Sequence, residues 1–384
     1  MEKKLKLMTI VGTRPEIIRL SRVIEKCDRY FDQILVHTGQ NWDYTLSQIF
    51  FEDLGLRAPD HYLEAVGEDL GETIGNIIAK SYRLLAEQQP DALLILGDTN
   101  SCLSAIAAKR LKIPIFHMEA GNRCFDENLP EETNRRIVDH IADVNICYSE
   151  HARRYLNAEG TPRERTYVCG SPMAEVLSAN FEKIKNAEIL NTLGLEKGKY
   201  ILLSAHREEN IDIENHFYQL MEAVNAMAEK YAMPVVYSTH PRSAKFIEKR
   251  GFQLHPRVRS LQPFGFSDYN HLQMHAACVV SDSGTLPEES AYFASKGMPF
   301  PAVCIRTSTE RPEALDKGNF ILAGITKAQV LQAVDIAMTL QTDGELGLPV
   351  PDYTDENVST KIVKLIQSYT GIVNRVVWRK SEET

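Results

Sequence analysis

The amino-acid sequence predicts an α/β protein built from two Rossmann-like domains that face each other across a cleft. Short β-rich runs alternate with amphipathic stretches of helix length along almost all of the 384 residues, and this alternation is typical of βαβ units with a largely parallel sheet. A chain of this length exceeds what one hydrophobic core usually organises. The strand-like runs also fall into two series, so two domains are expected.

The first series of predicted strands begins with the apolar run LKLMTIV. Its members are expected at residues 5–11, 33–37, 92–96, 115–118, 144–147 and 166–168. Each is short and rich in Val, Ile and Leu, as strands buried on both faces of a parallel sheet are. A first domain is therefore expected over residues 1–170.

The second series follows Gly170-Ser171-Pro172, which we interpret as the hinge, and begins with the run YILLS. Its members are expected at residues 200–204, 235–238, 258–261, 278–280, 302–305 and 320–322. A second domain is expected over residues 171–355. The remaining residues, 356–384, contain an amphipathic stretch that we expect to form a helix returning to the first domain.

Composition argues against several classes of function. The net charge of -9 at pH 7 disfavours a general nucleic-acid or anionic-membrane surface, and no stretch approaches the length of a membrane span. The seven cysteines show no CxxC spacing, which favours buried, reduced thiols over disulfides or a zinc site. We expect a cytoplasmic protein with no metal, no nucleic-acid partner and no membrane insertion.

A first candidate site lies where the first strand turns into a helix, at Gly12, Thr13 and Arg14. In open parallel sheets, ligands bind outside the carboxyl ends of the strands, where backbone N–H groups and a helix N-terminus attract anions. We expect this turn to hold a phosphate group, with Arg14 as a cation beside it.

Three carboxylates follow successive strands of the first domain: Asp98, Glu119 and Glu131. Each has an ordinary structural explanation, because Asp caps helices and acidic residues at a helix start favour the helix dipole. The exits of neighbouring parallel strands share one sheet edge, however, so the three side chains should converge. A cluster of like charges in a cleft raises proton affinity and makes acid/base chemistry plausible.

The second domain offers two histidines at strand exits, His206 in AHREEN and His240 in THPR. A single histidine after a strand is more often structural than catalytic. Two histidines with neighbouring arginines favour anion binding or proton transfer. Metal binding is less favoured, because no HxH or HExxH spacing accompanies them.

A second turn of small residues, Ser283-Gly284-Thr285, leads into a helix that carries Glu288 and Glu289. Small residues at a helix N-terminus allow backbone N–H groups to reach a diphosphate. Carboxylates one turn later suit the hydroxyls of a ribose. Capping and surface charge explain each feature alone, but together they favour a nucleotide-diphosphate ligand.

The motifs VGTRPE, GDTNS, HMEAG, PEETNR, AHREEN, SDSGT and TERPE, in this order and spacing, closely resemble the non-hydrolysing UDP-N-acetylglucosamine 2-epimerase family. The resemblance spans nearly the whole chain. It implies a glycosyltransferase-B-like fold, a homodimer, and inversion at C2 of a UDP-N-acetyl sugar without a redox cofactor. The implied route is elimination of UDP to a 2-acetamidoglycal, protonation on the opposite face and re-addition of UDP.

The resemblance also assigns roles to single residues. Asp98, Glu119 and Glu131 correspond to the acid/base carboxylates, and His206 to a histidine that contacts the diphosphate and supports the leaving group. The predicted UDP and substrate contacts are Arg14, Arg19, His240, Tyr269, Ser283, Gly284, Thr285, Glu289, Arg306 and Arg311. Among them, Tyr269 is expected to stack on uracil and Glu289 to bind the ribose.

Departures from the common motifs indicate a branch of the family. Arg19 replaces a lysine, Glu208 replaces an arginine in AHREEN, and Thr285 replaces a glycine. Together with the segment NRCFDENLPEE, these variants resemble the branch that converts UDP-2-acetamido-2,6-dideoxy-L-talose to UDP-N-acetyl-L-fucosamine for capsule or O-antigen synthesis.

Other functions are also compatible with this sequence. Within the chemistry, UDP-N-acetylglucosamine to UDP-N-acetylmannosamine is the nearest alternative. A UDP-sugar glycosyltransferase would share the fold, but it needs an acceptor and typically one catalytic base. A nucleotide-sugar sensor could lose the three carboxylates, and a hydrolysing epimerase would release UDP and free sugar.

Overall fold

The computed structural model describes residues 4–39, 51 and 54–380. The chain divides into two compact units. Unit 1 comprises Met1–Val176 and Asp355–Thr384, and unit 2 comprises Leu177–Thr354. Each unit contains one parallel sheet with helices, so the α/β class and the two Rossmann-like domains predicted from the sequence are confirmed.

Over the described residues, the sheet of unit 1 has seven parallel strands in the order β3-β2-β1-β4-β5-β6-β7. The strands are β1 (Lys6–Val11), β2 (Asp32–His37), β3 (His61–Tyr62), β4 (Ala92–Leu96), β5 (Ile115–Met118), β6 (Val144–Cys147) and β7 (Thr166–Val168). All five residues of β4 are buried, as expected where helices cover both faces of a sheet. The strand order reverses between β1 and β4, which is the position where open α/β sheets bind ligands.

Helices connect these strands and cover the sheet. They are α1 (Arg14–Tyr30), α2 (Leu70–Gln88), α3 (Ser104–Arg110), α4 (Pro130–Ile141), α5 (Glu150–Ala158) and α6 (Met173–Ala179). Helix α1 begins directly after β1, with Pro15 in its first turn and Glu16 at the dipole-favoured end. The first turn of α1 therefore lies at the carboxyl end of β1, beside the switch point.

The sheet of unit 2 has six parallel strands in the order β10-β9-β8-β11-β12-β13. The strands are β8 (Ile201–Ser204), β9 (Val235–Ser238), β10 (Val258–Leu261), β11 (Cys278–Ser281), β12 (Ala302–Cys304) and β13 (Ile321–Leu322). The order reverses between β8 and β11. The turns after these two strands carry the AHREEN and SDSGT motifs.

The helices of unit 2 pack on this sheet. They are α7 (Phe181–Lys185), α8 (Ile189–Leu193), α9 (Glu208–Ile211), α10 (Glu214–Tyr231), α11 (Pro241–Lys249), α12 (Phe266–His275), α13 (Leu286–Ser295), α14 (Pro312–Leu315) and α15 (Lys327–Asp343). Apolar side chains of α10 and α15 join those of β8, β9 and β11 in one buried core.

The C-terminal helix, α16 (Val358–Val376), belongs to unit 1 and packs on α1. Lys26 of α1 donates to the Thr360 hydroxyl at 2.7 Å, and Lys361 donates to the carbonyl of Cys169 at 2.9 Å. The predicted return segment extended to residue 384, and its last four residues lie outside the described part of the chain.

The first boundary differs from the sequence-based division, which lies after residue 170. The chain leaves unit 1 only after Val176. Glu175 accounts for this difference, because its carboxylate accepts the backbone N–H of Ser359 at 2.8 Å and lies 3.9 Å from the Lys26 ammonium group. These contacts hold the beginning of α6 in unit 1.

Three further features bear on the sequence predictions. Strand β3 is not among the predicted strands, because two residues are too few for a periodic signal. All seven cysteines lie in the described residues, where each is a buried free thiol. Over the same residues, no helix is long and apolar enough to cross a membrane, and no cluster of His, Cys, Asp and Glu could hold a metal ion.

Gly121, just after β5, is required by both conformation and space. Its φ is +81°, and a Cβ atom built there would lie 2.5 Å from the carbonyl oxygen of Ala152. Gly198 provides a matched control, because its φ is +71° but nothing lies within 4 Å of its added Cβ.

We expect Gly121→Ala to destabilise unit 1 far more than Gly198→Ala destabilises unit 2. Left-handed backbone costs about 1–2 kcal/mol for alanine at either site, and the overlap at Gly121 adds roughly 1–3 kcal/mol. Thermal unfolding followed by circular dichroism measures the difference. Equal losses in the two variants would contradict the close packing of Gly121 on α5.

Candidate active site

Glu16 lies at the switch point of unit 1, where the strand order reverses between β1 and β4. Its buried carboxylate accepts the Gly12 backbone N–H at 3.1 Å and the Thr13 hydroxyl at 2.8 Å, both in the turn after β1. From the turn after β4, the hydroxyls of Thr99, at 3.0 Å, and Ser101 donate to the same carboxylate. One side chain therefore joins the two strand exits that flank the reversal in strand order.

This arrangement engages two of the donors in the turn where a phosphate site is predicted. The Gly12 N–H and the Thr13 hydroxyl donate to Glu16, whose carboxylate lies at the N-terminus of α1. Burial raises the pKa of Glu16, although the hydrogen bonds from Ser101, Thr13, Thr99 and Gly12 oppose the rise. Arg14 begins α1 beside this turn and is half-buried.

Asp98 is held by an arginine of α4. Its carboxylate lies 2.7 Å from Nε of Arg135, and its backbone carbonyl accepts from the Asn134 side chain at 2.9 Å. Arg135 also donates to Glu132 at 2.7 Å. Asp98 is thus the partly exposed end of a chain of charges that continues into α4.

Glu119 is positioned by both its backbone and its side chain. Its φ is +64°, a conformation that is uncommon outside glycine and tends to occur at functional sites. Its carboxylate lies 2.6 Å from Nη1 of Arg19, and Asn122 donates to it at 3.3 Å. A Cβ atom at Gly97 would lie only 3.1 Å from Glu119 Oε2, so the carboxylate reaches the turn that carries Asp98.

Glu131 and Glu132 open α4, and they differ in surroundings. Glu132 is buried, where it accepts the Cys124 backbone N–H at 3.2 Å as well as the Arg135 guanidinium. Burial alone would raise its pKa, but the bonds from Cys124 and the charge of Arg135 lower it overall. Glu131 is half-buried in the same turn. The fold therefore brings Asp98 and Glu119 together at the ends of β4 and β5, with the start of α4 beside Asp98.

A buried histidine supports this edge of the sheet. His117 Nε2 lies 2.8 Å from the Gly97 carbonyl, and its Nδ1 lies 3.0 Å from Asp139. Asp139 also accepts from Arg123 at 2.7 Å. Burial alone would raise the pKa of Asp139, but His117 and Arg123 lower it.

Asp282 occupies the corresponding position in unit 2. Its carboxylate is fully buried and accepts the backbone N–H groups of His206, at 2.8 Å, and Arg207, at 2.9 Å. Asn210 donates to the same oxygen at 3.2 Å. Burial alone would raise the pKa of Asp282, but the charge and hydrogen bonds of His206 and the N–H of Arg207 lower it to about 2. The turns after β8 and β11 are joined through this one group.

The two predicted histidines lie side by side. The ring centroids of His206 and His240 are 5.7 Å apart. The Nδ1 atom of His206 lies 3.1 Å from Asp282 Oδ1. His240 caps α11, and its Nδ1 accepts the backbone N–H of Arg242 at 3.2 Å.

The turn of small residues after β11 is closely packed. The hydroxyls of Ser283 and Thr285 lie 2.9 Å apart, and Thr285 donates to Glu289 at 2.8 Å. A Cβ atom at Gly284 would lie 2.9 Å from Glu310 Oε1 and 3.3 Å from Arg207 Nη2. A larger residue at Gly284 would therefore require the ends of the Glu310 and Arg207 side chains to shift.

Two further predicted ligands of unit 2 form ion pairs within their own unit, although Nε and Nη2 of Arg306 have no hydrogen-bond partner among the described residues. Arg306 lies 2.7 Å from Glu310, and Arg311 lies 2.7 Å from Glu288. Both guanidinium groups are almost fully buried. Burial raises the pKa of Tyr269, whose hydroxyl lies beside Glu289 and the side chains of Ser281 and Ser204.

Comparison with known proteins identifies the family of this chain. The family model described as UDP-N-acetylglucosamine 2-epimerase matches residues 25–367. The chain belongs to the UDP-N-acetylglucosamine 2-epimerase family. Proteins of this family are isomerases, and so is this chain.

Three relatives of this epimerase family illustrate the match. The UDP-N-acetylglucosamine 2-epimerase of Rickettsia bellii is 47% identical, with a TM-score of 0.90 over 98% of this chain and 100% of that chain. The Methanocaldococcus jannaschii enzyme, in complex with UDP-GlcNAc and UDP, is 29% identical, with a TM-score of 0.87 over 95% and 100% of the two chains. The UDP-2,3-diacetamido-2,3-dideoxy-D-glucuronate 2-epimerase of Pseudomonas aeruginosa is 32% identical over 89% of this chain and 95% of its own length.

Three buried side chains near these strand exits were not predicted from the sequence as site residues: Glu16, His117 and Asp282. Glu16 and Asp282 have the residue type and position of ordinary helix-start carboxylates. His117 lies within a strand-like run. Their partners are up to 85 residues away in sequence, so no local signal identifies them.

The depressed pKa of Asp282 predicts a pH-dependent contribution to stability. A folded-state pKa of about 2, against a usual value of 3.8, stabilises the fold above about pH 4, and this contribution is lost as the pH falls through 2. We expect Asp282→Asn to lower the free energy of unfolding by about 2 kcal/mol at pH 7, with a smaller difference from wild type at pH 2. Thermal unfolding across this pH range measures both. A difference that is constant with pH would contradict the assignment.

Proposed function

We propose that this enzyme inverts C2 of a UDP-N-acetyl sugar by a non-hydrolysing route, without a metal or redox cofactor. The observation that carries the proposal is the division of groups between the units. Unit 1 supplies carboxylates at the exits of β4 and β5, and unit 2 supplies a histidine beside a turn of small residues at a helix start.

The chemistry follows from the low acidity of the C2 proton, because C2 has no adjacent carbonyl to stabilise a carbanion. A carboxylate removes the C2 proton, the electron pair forms the C1–C2 double bond, and the C1–O pair leaves with the β-phosphate oxygen of UDP. The resulting 2-acetamidoglycal is protonated at C2 on the opposite face, and any of the equivalent β-phosphate oxygens of the same UDP then attacks C1. No oxidant or reductant is consumed.

Deprotonation and reprotonation occur on opposite faces, so this route needs more than one acid/base group. We assign these roles to Asp98, Glu119 and Glu131. The ion pair of Arg19 with Glu119 supports a role for Arg19 in orienting that carboxylate. Arg135 holds Asp98 in the same way.

We assign UDP to unit 2. The turn at Ser283, Gly284 and Thr285 faces the diphosphate in this proposal, together with His206 and His240. Electrostatic stabilisation of the departing UDP is then the main catalytic contribution. Because Arg311 is buried against Glu288, we propose that it fixes this carboxylate, whereas Arg306, whose Nε and Nη2 have no hydrogen-bond partner among the described residues, stays a proposed UDP contact.

Further assignments rest on the sequence motifs. Glu289 binds the ribose, Tyr269 contacts uracil, and Arg14 contacts a phosphate. We also propose that the enzyme is a cytoplasmic homodimer that serves capsule or O-antigen synthesis.

The substrate that we favour is UDP-2-acetamido-2,6-dideoxy-L-talose, which would give UDP-N-acetyl-L-fucosamine. The variants at Arg19, Glu208 and Thr285 and the segment 122–132 support it. UDP-N-acetylglucosamine is the second candidate, supported by the names of most relatives. The Pseudomonas relative is named for a third UDP-sugar, so substrates differ among related sequences.

The test is proton NMR in deuterated water with each candidate substrate, without acceptor or cofactor. We expect inversion at C2 with deuterium incorporation, faster for the talose derivative. Turnover of UDP-N-acetylglucosamine alone would overturn the fucosamine branch. Inversion of neither substrate, or release of free sugar, would overturn the proposed function.

A second test separates catalysis from UDP binding. We expect Asp98→Asn, Glu119→Gln and Glu131→Gln each to lower kcat by at least about 100-fold, with UDP affinity within about threefold of wild type. Glu127→Gln is the matched control, because this carboxylate lies in the same segment and its side chain is 81% exposed. Loss of UDP binding together with turnover would reassign the three residues to structure.

A further inference from the structure

The surroundings of Asp282 determine how His206 is protonated. One carboxylate oxygen, Oδ2, is saturated by the N–H groups of His206 and Arg207 and by the Asn210 amide. The other oxygen, Oδ1, is buried and has no hydrogen bond of good geometry among the described residues, and His206 Nδ1 lies 3.1 Å from it. Asp282 therefore holds the backbone of His206 through Oδ2 and faces its ring with Oδ1.

A carboxylate that has lost its proton can only accept a hydrogen bond. A hydrogen bond between Oδ1 and Nδ1 can therefore be donated only by the imidazole, and such a bond makes neutral His206 the Nδ1–H tautomer. Nε2 is the nitrogen left for a ligand.

The neighbouring ring cannot adopt this tautomer. Nδ1 of His240 accepts the backbone N–H of Arg242, so that atom carries no hydrogen, and neutral His240 is the Nε2–H tautomer. The two rings are 5.7 Å apart. The neutral forms of the two rings are therefore different tautomers.

We infer that Asp282 is the positioning residue for His206, which it orients through Nδ1 so that Nε2–H of the imidazolium is donated to the leaving phosphate oxygen of the nucleotide. On elimination, the C1–O electron pair stays on that oxygen and the Nε2 proton is shared with it or transferred to it. The proton returns to Nε2 on re-addition, so nothing else is consumed. The leaving-group part of this inference rests on the proposed function, whereas the tautomer does not.

The tautomer is tested by long-range ¹H–¹⁵N NMR of the ¹⁵N-labelled full-length chain at alkaline pH, where the imidazoles are neutral. The His206 signals are assigned by their loss in His206→Asn. We expect Nδ1–H in wild type and Nε2–H in Asp282→Asn, because the asparagine amide donates to Nδ1. An Nε2–H tautomer in wild type would overturn the inference without any need for the variant to fold.

The catalytic consequence is tested by kinetics on the substrate that turns over. We expect Asp282→Asn to lower kcat about 100-fold while KM stays within about threefold. Asn210→Ala is the control, since it removes a hydrogen bond to Oδ2 and leaves the Oδ1–Nδ1 contact in place. We expect it to lower kcat less than fivefold.

Equal losses of kcat in the two variants would assign Asp282 to structure alone and overturn the inference. If wild type inverted neither substrate, the proposed function would fail while the NMR result still decided the tautomer. The two failures are therefore distinguishable.

Discussion

Each sheet depends on one buried carboxylate at the position where its strand order reverses. Chain connections leave these two strands in opposite directions, so backbone N–H groups and hydroxyls at the strand exits would lack partners inside the protein. Glu16 satisfies them in unit 1, and Asp282 satisfies them in unit 2. Burial of each carboxyl group is tolerated because several hydrogen bonds converge on it.

The two carboxylates arise from different elements, and this difference gives the units different chemistry. Glu16 lies on α1 and fills the anion position at the start of its own helix. Asp282 lies at the end of β11 and reaches across to the turn after β8. The turn of small residues, Ser283 to Thr285, follows Asp282 and directly precedes α13. This contrast supports our assignment of UDP to unit 2 and acid/base chemistry to unit 1.

Most strands were predictable because buried parallel strands are short apolar runs, and β4 and β11 show this clearly. Asp98 and Glu119 were predictable as neighbours, since β4 and β5 are paired in register. The partners of these carboxylates were not predictable. Arg19 meets Glu119 across 100 residues of sequence, and such contacts follow from packing rather than from local pattern.

The ion pairs of two buried arginines were also not predictable from the sequence. In the sequence, both residues, Arg306 and Arg311, have the residue type and the position that are expected of a phosphate ligand. In the fold, each lies against a carboxylate that is also buried. A charge that is open to a ligand and a charge that is paired inside the protein have the same sequence signal, and only the three-dimensional structure separates them.

In the proposed reaction, UDP leaves and returns at C1 during each inversion. Positional isotope exchange measures this step, with ¹⁸O placed in the bridge between C1 and the β-phosphate of the substrate and followed by ³¹P NMR. We expect the label to move into non-bridging β-phosphate positions as C2 inverts. Inversion at C2 with all of the label still in the bridge would contradict it, because the C1–O bond would then never have broken.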